Sequence, residues 1–249
     1  MQACHPLATK SLSTHSHPGD DDSDSVHSAG LRVTRVQIAG VSSLEEALAV
    51  EEAGADALGF TVRLPSGIHD GLTEAKARDL IAQLPPFVVS VAITYVSTAR
   101  DAIELCRYLG VMALQLHGDF PLGELRLIRA ALPHLKLIRA VHVTGPEAVT
   151  RARALERHVD AIILDTYDPT TGRGGATGRT HDWMVSRQIV GAVRTPVILA
   201  GGLTPDNVVE AIRTVSPWAV DVHTGIEDPD GTRNLAKLRS FIARAKDAR

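Results

Sequence analysis

Hydrophobic and polar positions follow two alternating patterns along most of the chain. Short runs rich in Val, Ile and Leu, typical of strands buried on both faces, precede longer runs whose apolar residues recur at helical spacing. Eight strands are predicted, at Arg32–Ile38, Ala55–Thr61, Phe87–Thr94, Met112–Leu116, Leu135–Val143, Asp160–Leu164, Pro196–Ala200 and Ala219–Val222. The helices that follow them are predicted at Ser43–Ala53, Thr73–Gln83, Thr98–Leu109, Pro121–Ala131, Pro146–Glu156, Asp182–Val193, Pro205–Val215 and Gly231–Ala245. Eight strand–helix units in succession predict an α/β fold, a single (β/α)8 TIM barrel.

Residues at the predicted helix ends support this assignment. Ser43 with Glu46 three residues later is a capping box, and Thr98 with Asp101 repeats the pattern more weakly. The main rival is a doubly wound sheet, which usually carries a glycine-rich first turn. The corresponding segment, "QIAGVSS", has one glycine, so the barrel is favoured.

The first thirty residues lack any apolar period. Residues 1–30 hold six Ser, four His and a net charge of −3, and they predict a disordered N-terminal extension to a barrel at 31–249. A secretory signal needs an apolar core, and a transit peptide is rich in Arg. This segment has neither, so we expect a cytoplasmic protein.

Composition narrows the classes of partner. The net charge of −3 belongs to the extension, and a neutral barrel argues against binding to nucleic acid or an anionic membrane. No apolar run approaches the roughly 20 residues of a membrane span. Two cysteines, Cys4 and Cys106, do not make a disulfide framework.

Glycines at the ends of the last two strands indicate a phosphate site. In barrels, the loops after strands seven and eight often bind phosphate through backbone N–H groups at the carboxyl-terminal rim. Gly201 and Gly202 follow strand seven, and Thr224 with Gly225 follows strand eight. The alternative is a pair of tight turns that need glycine for geometry alone.

A third glycine-rich segment, "GRGGATGRTHDW" (172–183), forms a long loop after strand six. Loops of this length in a compact barrel are usually lids or binding loops. Gly175 and Arg179 are therefore candidate contacts to an anion, and a flexible excursion is the alternative.

Several segments in order resemble phosphoribosylanthranilate isomerases. They are "VQIAGVSSLEEALAVEEAGADALGF", "LQLHGD", "IILDT", "ILAGGLTPDNVVEAI" and "VDVHTGIED", and the resemblance extends from Val33 to Lys246. It implies a cofactor-independent Amadori rearrangement in tryptophan biosynthesis, acting on a phosphorylated sugar, in a monomer or homodimer. Such a reaction needs a general acid for the ring oxygen and a general base for the C2 proton. By resemblance the acid is Asp165.

The sequence departs from the family pattern where the base should stand. The family has a cysteine and a lysine at the end of strand one, and this chain has Ala39 and Gln37. Loss of a base costs about 10²–10⁴-fold in rate. The family's arginine after strand two, which recognises the anthranilate carboxylate, has no clear counterpart, and Arg63 is its candidate substitute.

Two histidines are candidate replacements, because imidazole titrates near neutrality. His223 stands where the family has a serine, and His69 lies in the loop after strand two. The alternatives are a phosphate ligand for His223 and a solvated loop residue for His69. With His117 they permit a metal site, but no two have close ligand spacing, so none is expected.

Three functions remain open from the sequence. The favoured one is a phosphosugar isomerase of this family with a relocated base. The second is a diverged lyase, aldolase or epimerase acting on a sugar phosphate, and the third is a non-catalytic phosphosugar-binding barrel.

Overall fold

A computed structural model describes residues 33–65, 71–168, 173–174 and 180–248 of the chain. Eight parallel strands close into a barrel in the order β1-β10-β9-β6-β5-β4-β3-β2, which confirms the predicted fold. The barrel strands are β1 (Arg35–Ile38), β2 (Ala57–Thr61), β3 (Val89–Thr94), β4 (Ala113–Leu116), β5 (Lys136–His142), β6 (Ala161–Asp165), β9 (Val197–Leu199) and β10 (Ala219–Val222). The predicted extension, residues 1–30, lies outside the described residues and stays a prediction.

In the described part of the chain, eight α-helices surround the barrel. They are α1 (Leu44–Glu52), α2 (Glu74–Ile81), α3 (Ala99–Leu109), α4 (Leu122–Ala131), α5 (Glu147–Leu155), α6 (Trp183–Ala192), α7 (Val208–Val215) and α8 (Leu235–Asp247). Two short strands, β7 (Tyr167–Asp168) and β8 (Arg173–Gly174), pair antiparallel after β6, and a 3-10 turn, η1 (Thr224–Ile226), follows β10. Among the described residues, no helix has the length and apolar character needed to cross a membrane.

The caps explain where the helices begin. Ser43 and Thr98 cap α1 and α3 as predicted, each accepting a hydrogen bond from the backbone N–H three residues later. The last helix starts at Leu235 rather than at Gly231, because the Asn234 side chain accepts the N–H groups of Ala236 and Lys237.

The apolar core has two layers. The larger one lies between the outer barrel face and the helices, with Phe60 and Phe241 fully buried. The inner one fills the barrel with small and branched side chains, among them Ala39, Ile163 and Ala200. Buried polar groups interrupt this inner layer toward the carboxyl ends of the strands, which places candidate chemistry there.

Candidate active site

One pocket lies at the carboxyl ends of β6, β9 and β10. This pocket brings together six of the site residues predicted from the sequence. It also contains Asp221, to which the sequence assigned no role. Its lining consists of Asp165, Ala200, Gly201, Gly202, Leu203, Asp221, Val222, His223, Thr224 and Gly225. None of these ten is Lys or Arg, so among them backbone N–H groups and the Thr224 hydroxyl are the groups suited to an anion.

Glycine residues leave the backbone without covering side chains where the loops after β9 and β10 meet. Gly201 and Gly202 have φ values of +81° and +64°, in the left-handed region that favours glycine. A Cβ on Gly225 would overlap the carbonyl oxygen of Leu203, so only glycine fits there. The backbone N–H groups of Gly202, Thr224 and Gly225 donate to no acceptor among the described residues. This arrangement suits phosphate oxygens.

Asp165 closes the pocket at the end of β6. Its side chain is buried, and Oδ1 accepts a hydrogen bond of 2.7 Å from the Thr166 backbone N–H. Burial raises the pKa of the Asp165 carboxyl to about 6, although the hydrogen bonds from Thr166 lower it. A Cβ on Gly201 would lie 3.2 Å from Asp165 Oδ1, so the glycine backbone packs directly beside the carboxyl.

Asp221 is a second buried carboxyl on the pocket wall. Its Oδ1 accepts 3.0 Å from the side-chain amide of Gln37, which also donates 2.8 Å to Gln115 Oε1. The Gln115 amide lies 2.9 Å from His117 Nε2. Burial and the negative charge of Asp165 raise the pKa of Asp221 to about 7. Asp221 had no role assigned from the sequence, although an acidic residue within the apolar strand Ala219–Val222 indicates a polar group buried at the strand end.

His117 is the neutral end of this chain of hydrogen bonds. Burial lowers its pKa to about 3, with the charges of His142 and Arg139 acting in the same direction. A neutral His117 accepts at Nε2 from the Gln115 amide. The network from His117 to Asp221 therefore carries no positive charge.

His223 packs beside the end of β1. Its ring covers Gly40, which has a φ of +74° and follows Ala39 directly. His223 Nε2 lies 3.6 Å from Glu227 Oε1. The imidazole thus lies between the end of β1 and the loop after β10, whose backbone N–H groups suit phosphate oxygens.

Arg233 ties these two strand ends together. Its guanidinium donates to the carbonyl oxygens of His223 (2.8 Å) and Ala39 (2.9 Å), and Nε lies 2.7 Å from Glu46 Oε1. The Arg233 side chain is only 12% exposed, and that of Glu46 9%. Arg233 was not predicted from the sequence, because two of the residues it joins, Glu46 and Ala39, lie 187 and 194 residues away along the chain.

Of the remaining predicted site residues, Arg63 lies in the described part of the chain and does not join this cluster. Arg63 does not line the pocket; its Nε lies 2.6 Å from Glu74 Oε1, and Nη1 donates to the Asp101 carbonyl. His69, Gly175 and Arg179 lie outside the described residues. No group of three or more His, Cys, Asp or Glu in the described ranges is arranged to hold a metal ion.

Comparison with known proteins gives a consistent result. The model of the N-(5'-phosphoribosyl)anthranilate isomerase family matches residues 36–244. The isomerase of Haloferax volcanii is 43% identical over 217 residues, which is 87% of this chain and 95% of that protein.

Solved structures agree with this match. The phosphoribosyl anthranilate isomerase of Thermotoga maritima superposes with a TM-score of 0.75 at 34% identity, covering 86% of this chain and 98% of that one. A second isomerase structure, in complex with reduced 1-(o-carboxyphenylamino)-1-deoxyribulose 5-phosphate, gives a TM-score of 0.73 at 32% identity, with the same coverage. On the family match, the sequence identity and the shared barrel, the chain belongs to the N-(5'-phosphoribosyl)anthranilate isomerase family.

Proposed function

We propose that the protein isomerises N-(5'-phosphoribosyl)anthranilate, or a close N-(5'-phosphoribosyl)amine, to the corresponding aminoketose. Membership of the family supports the reaction type. The observation that carries the proposal is the buried carboxyl of Asp165 beside the bare backbone of Gly201 and Gly202 in one pocket. The reaction needs a proton donor at the sugar ring, and a phosphate site next to that donor holds the substrate in position for it.

The phosphate binds at the loops after β9 and β10 in this proposal. The N–H groups of Gly202, Thr224 and Gly225 and the Thr224 hydroxyl supply the hydrogen bonds. His223 borders the same loop, and we assign it to the phosphate edge of the site. His69 stays a predicted candidate base, Gly175 and Arg179 stay predicted anion contacts, and Arg63 stays a predicted contact to the aglycone carboxylate.

Asp165 is the general acid. A carboxyl with a pKa of about 6 is protonated in an appreciable fraction of molecules near neutral pH. It donates its proton to the ring oxygen as the C1–O bond breaks and the nitrogen lone pair forms the C1=N bond. Burial of Asp165 favours this step, because the acid is neutral before transfer.

Turnover of N-(5'-phosphoribosyl)anthranilate by the purified protein tests the proposal, with the aminoketose product measured by chromatography. We expect turnover that Asp165→Asn lowers by about 10²–10⁴-fold. Asp79→Asn, which removes an exposed carboxylate on α2, is the matched control and should retain the rate.

Two results would overturn the proposal. Binding of the substrate without turnover would indicate a non-catalytic phosphosugar barrel. Turnover that is unaffected by Asp165→Asn would remove the proposed acid.

The phosphate contact has its own test. Gly225→Ala forces a methyl group onto the Leu203 carbonyl and should raise KM at least tenfold. Gly123→Ala on α4 adds a methyl group with no heavy atom within 4 Å and is the matched control. Equal KM values for the two variants would place the phosphate elsewhere.

A further inference from the structure

The end of β1 offers no proton acceptor. Ala39 is 5% exposed and faces the barrel interior among other apolar side chains. An isomerase of this type must still remove a proton from C2. Another group in the pocket has to perform that step.

Asp221 lies close to the vacant position. Gln37 and Ala39 are two residues apart on one strand, so both face the barrel interior. Gln37 pairs with Asp221 in the parallel register of β1 and β10, and the Gln37 amide holds Asp221 Oδ1. Position 39 supplies only a methyl group, so it contributes no acceptor near Asp221.

We propose that Asp221 is the general base, removing the C2 proton in place of the side chain that Ala39 lacks. This inference rests on the proposed function and completes its acid–base pair. Asp221 and Asp165 line the same pocket from different strands, so a substrate bound in that pocket can reach both carboxyls.

The surroundings of Asp221 keep it basic. Gln37 supplies one neutral hydrogen bond, and the Gln115–His117 network behind it is uncharged. Asp165 and Arg233 both act electrostatically on Asp221, and Asp165 has the larger effect. Asp165 becomes ionised when it protonates the ring oxygen; burial and this negative charge together raise the pKa of Asp221 to about 7, which suits a base that works near neutrality.

His223 is another titratable side chain at this rim. Its Nε2 is directed at Glu227 Oε1, 3.6 Å away, and its ring packs over the Gly40 backbone. Among the described residues, Asp221 Oδ2 accepts no hydrogen bond, and that oxygen is therefore available to the substrate.

The protons balance over the cycle. Asp165 gives a proton to the ring oxygen, and Asp221 takes the C2 proton as the C1=C2 bond of the enolamine forms. The enolamine becomes the ketone when C1 gains a proton and the C2 hydroxyl loses one. If protonated Asp221 supplies the first and ionised Asp165 accepts the second, both carboxyls return to their starting states.

The variant Asp221→Asn tests the assignment while keeping an acceptor for the Gln37 amide. We expect kcat to fall about 10²–10⁴-fold with KM within about threefold of the parent. Substrate deuterated at C2 should then show a larger isotope effect on kcat, because proton removal becomes fully rate-limiting. A merely structural role for Asp221 would not change the isotope effect.

A second variant, Gln37→Lys, places an ammonium group beside Asp221. The added positive charge favours the ionised carboxyl and lowers its pKa. The acidic limb of the kcat/KM profile should move to lower pH by at least about half a unit. An unmoved limb would contradict the assignment.

The outcomes separate the two proposals. An inert wild-type protein overturns the proposed function, and this inference with it. Turnover that survives Asp221→Asn but is lost in His223→Asn assigns the base to His223 and overturns this inference alone. Survival in both variants also removes Asp221 as the base.

Discussion

The imidazole of His223 occupies the space that a side chain at Gly40 would need. A Cβ built on Gly40 would overlap His223 Nε2 and would lie 2.7 Å from Cδ2. Gly40 also has a φ of +74°, where any other residue is strained. The end of β1 and the rim histidine are thus fitted to each other.

The variant Gly40→Ala should lower the free energy of unfolding by about 2–4 kcal/mol, combining left-handed strain with overpacking. Gly110→Ala is the matched control, because Gly110 has a φ of +71° and no heavy atom near a Cβ. It should cost about 1–2 kcal/mol from strain alone. Urea unfolding of both variants measures the difference. Equal losses of unfolding free energy would show that the His223 ring moves aside without an energetic cost.

A second prediction concerns the guanidinium that joins the two strand ends. Arg233→Met leaves Glu46 buried without its cation and removes donors from the carbonyls of Ala39 and His223. The expected loss of unfolding free energy is about 3–5 kcal/mol, typical of a broken buried pair.

The exposed pair of Arg244 and Asp206 provides the control. Their side chains are 50% and 94% exposed, so Arg244→Met should cost less than about 1 kcal/mol. The double variant Arg233→Met/Glu46→Gln should recover part of the loss, because it removes the unpaired charge. Denaturant unfolding measures all three, and similar losses for Arg233→Met and Arg244→Met would contradict the prediction.

Most of the fold was predictable from the sequence, because it depends on local features. Hydrophobic periodicity and caps such as Ser43 and Thr98 are local features, and all eight strand–helix units were predicted from them. Asn207 shows the limit at a helix start. The sequence predicted that α7 begins at Pro205, but the helix begins at Val208. The Asn207 side chain accepts a hydrogen bond from the Thr204 N–H, and this turn precedes the helix.

The candidate site likewise contains residues that the sequence predicted and contacts that it did not. The glycine segments and Asp165 were found because they lie at strand ends in recognisable motifs. The contacts of Arg233 and the Gln37–Asp221 hydrogen bond form only when β1 pairs with β10. Gln37 and Asp221 are 184 residues apart along the chain. Pattern reading does not give such contacts.

The third prediction concerns the pH dependence of stability. The pKa of Asp165 is about 6 in the folded protein, above its ordinary value of 3.8, so the folded state binds this proton more tightly than the unfolded state. The stabilising contribution is therefore complete below about pH 4 and lost as the pH rises through about 6. At pH 7.5, the buried carboxylate destabilises the fold by up to about 2–3 kcal/mol.

Asp165→Asn should accordingly stabilise the protein at pH 7.5 and have little effect at pH 3.5. The amide remains neutral at both pH values and retains an acceptor for the Thr166 N–H. Denaturant unfolding at the two pH values measures the effect, with the exposed Asp79→Asn as control. A stability gain that is the same at both pH values would rule out titration of Asp165 as its cause.

The last prediction concerns Ala39, the position at which the resemblance to the family led us to expect a cysteine. Ala39 faces the barrel interior beside the Gln37–Asp221 pair, so a thiol at 39 enters the same part of the pocket. In the Asp221→Asn background, Ala39→Cys should raise kcat at least tenfold, with an alkaline-shifted profile because a free thiol has a pKa of about 8.5. Ala39→Ser in the same background is the matched control, since a hydroxyl of similar size does not ionise near neutrality. Rescue by both variants would point to packing rather than proton transfer, and activation of an inert parent by Ala39→Cys alone would show that the native protein is not the isomerase.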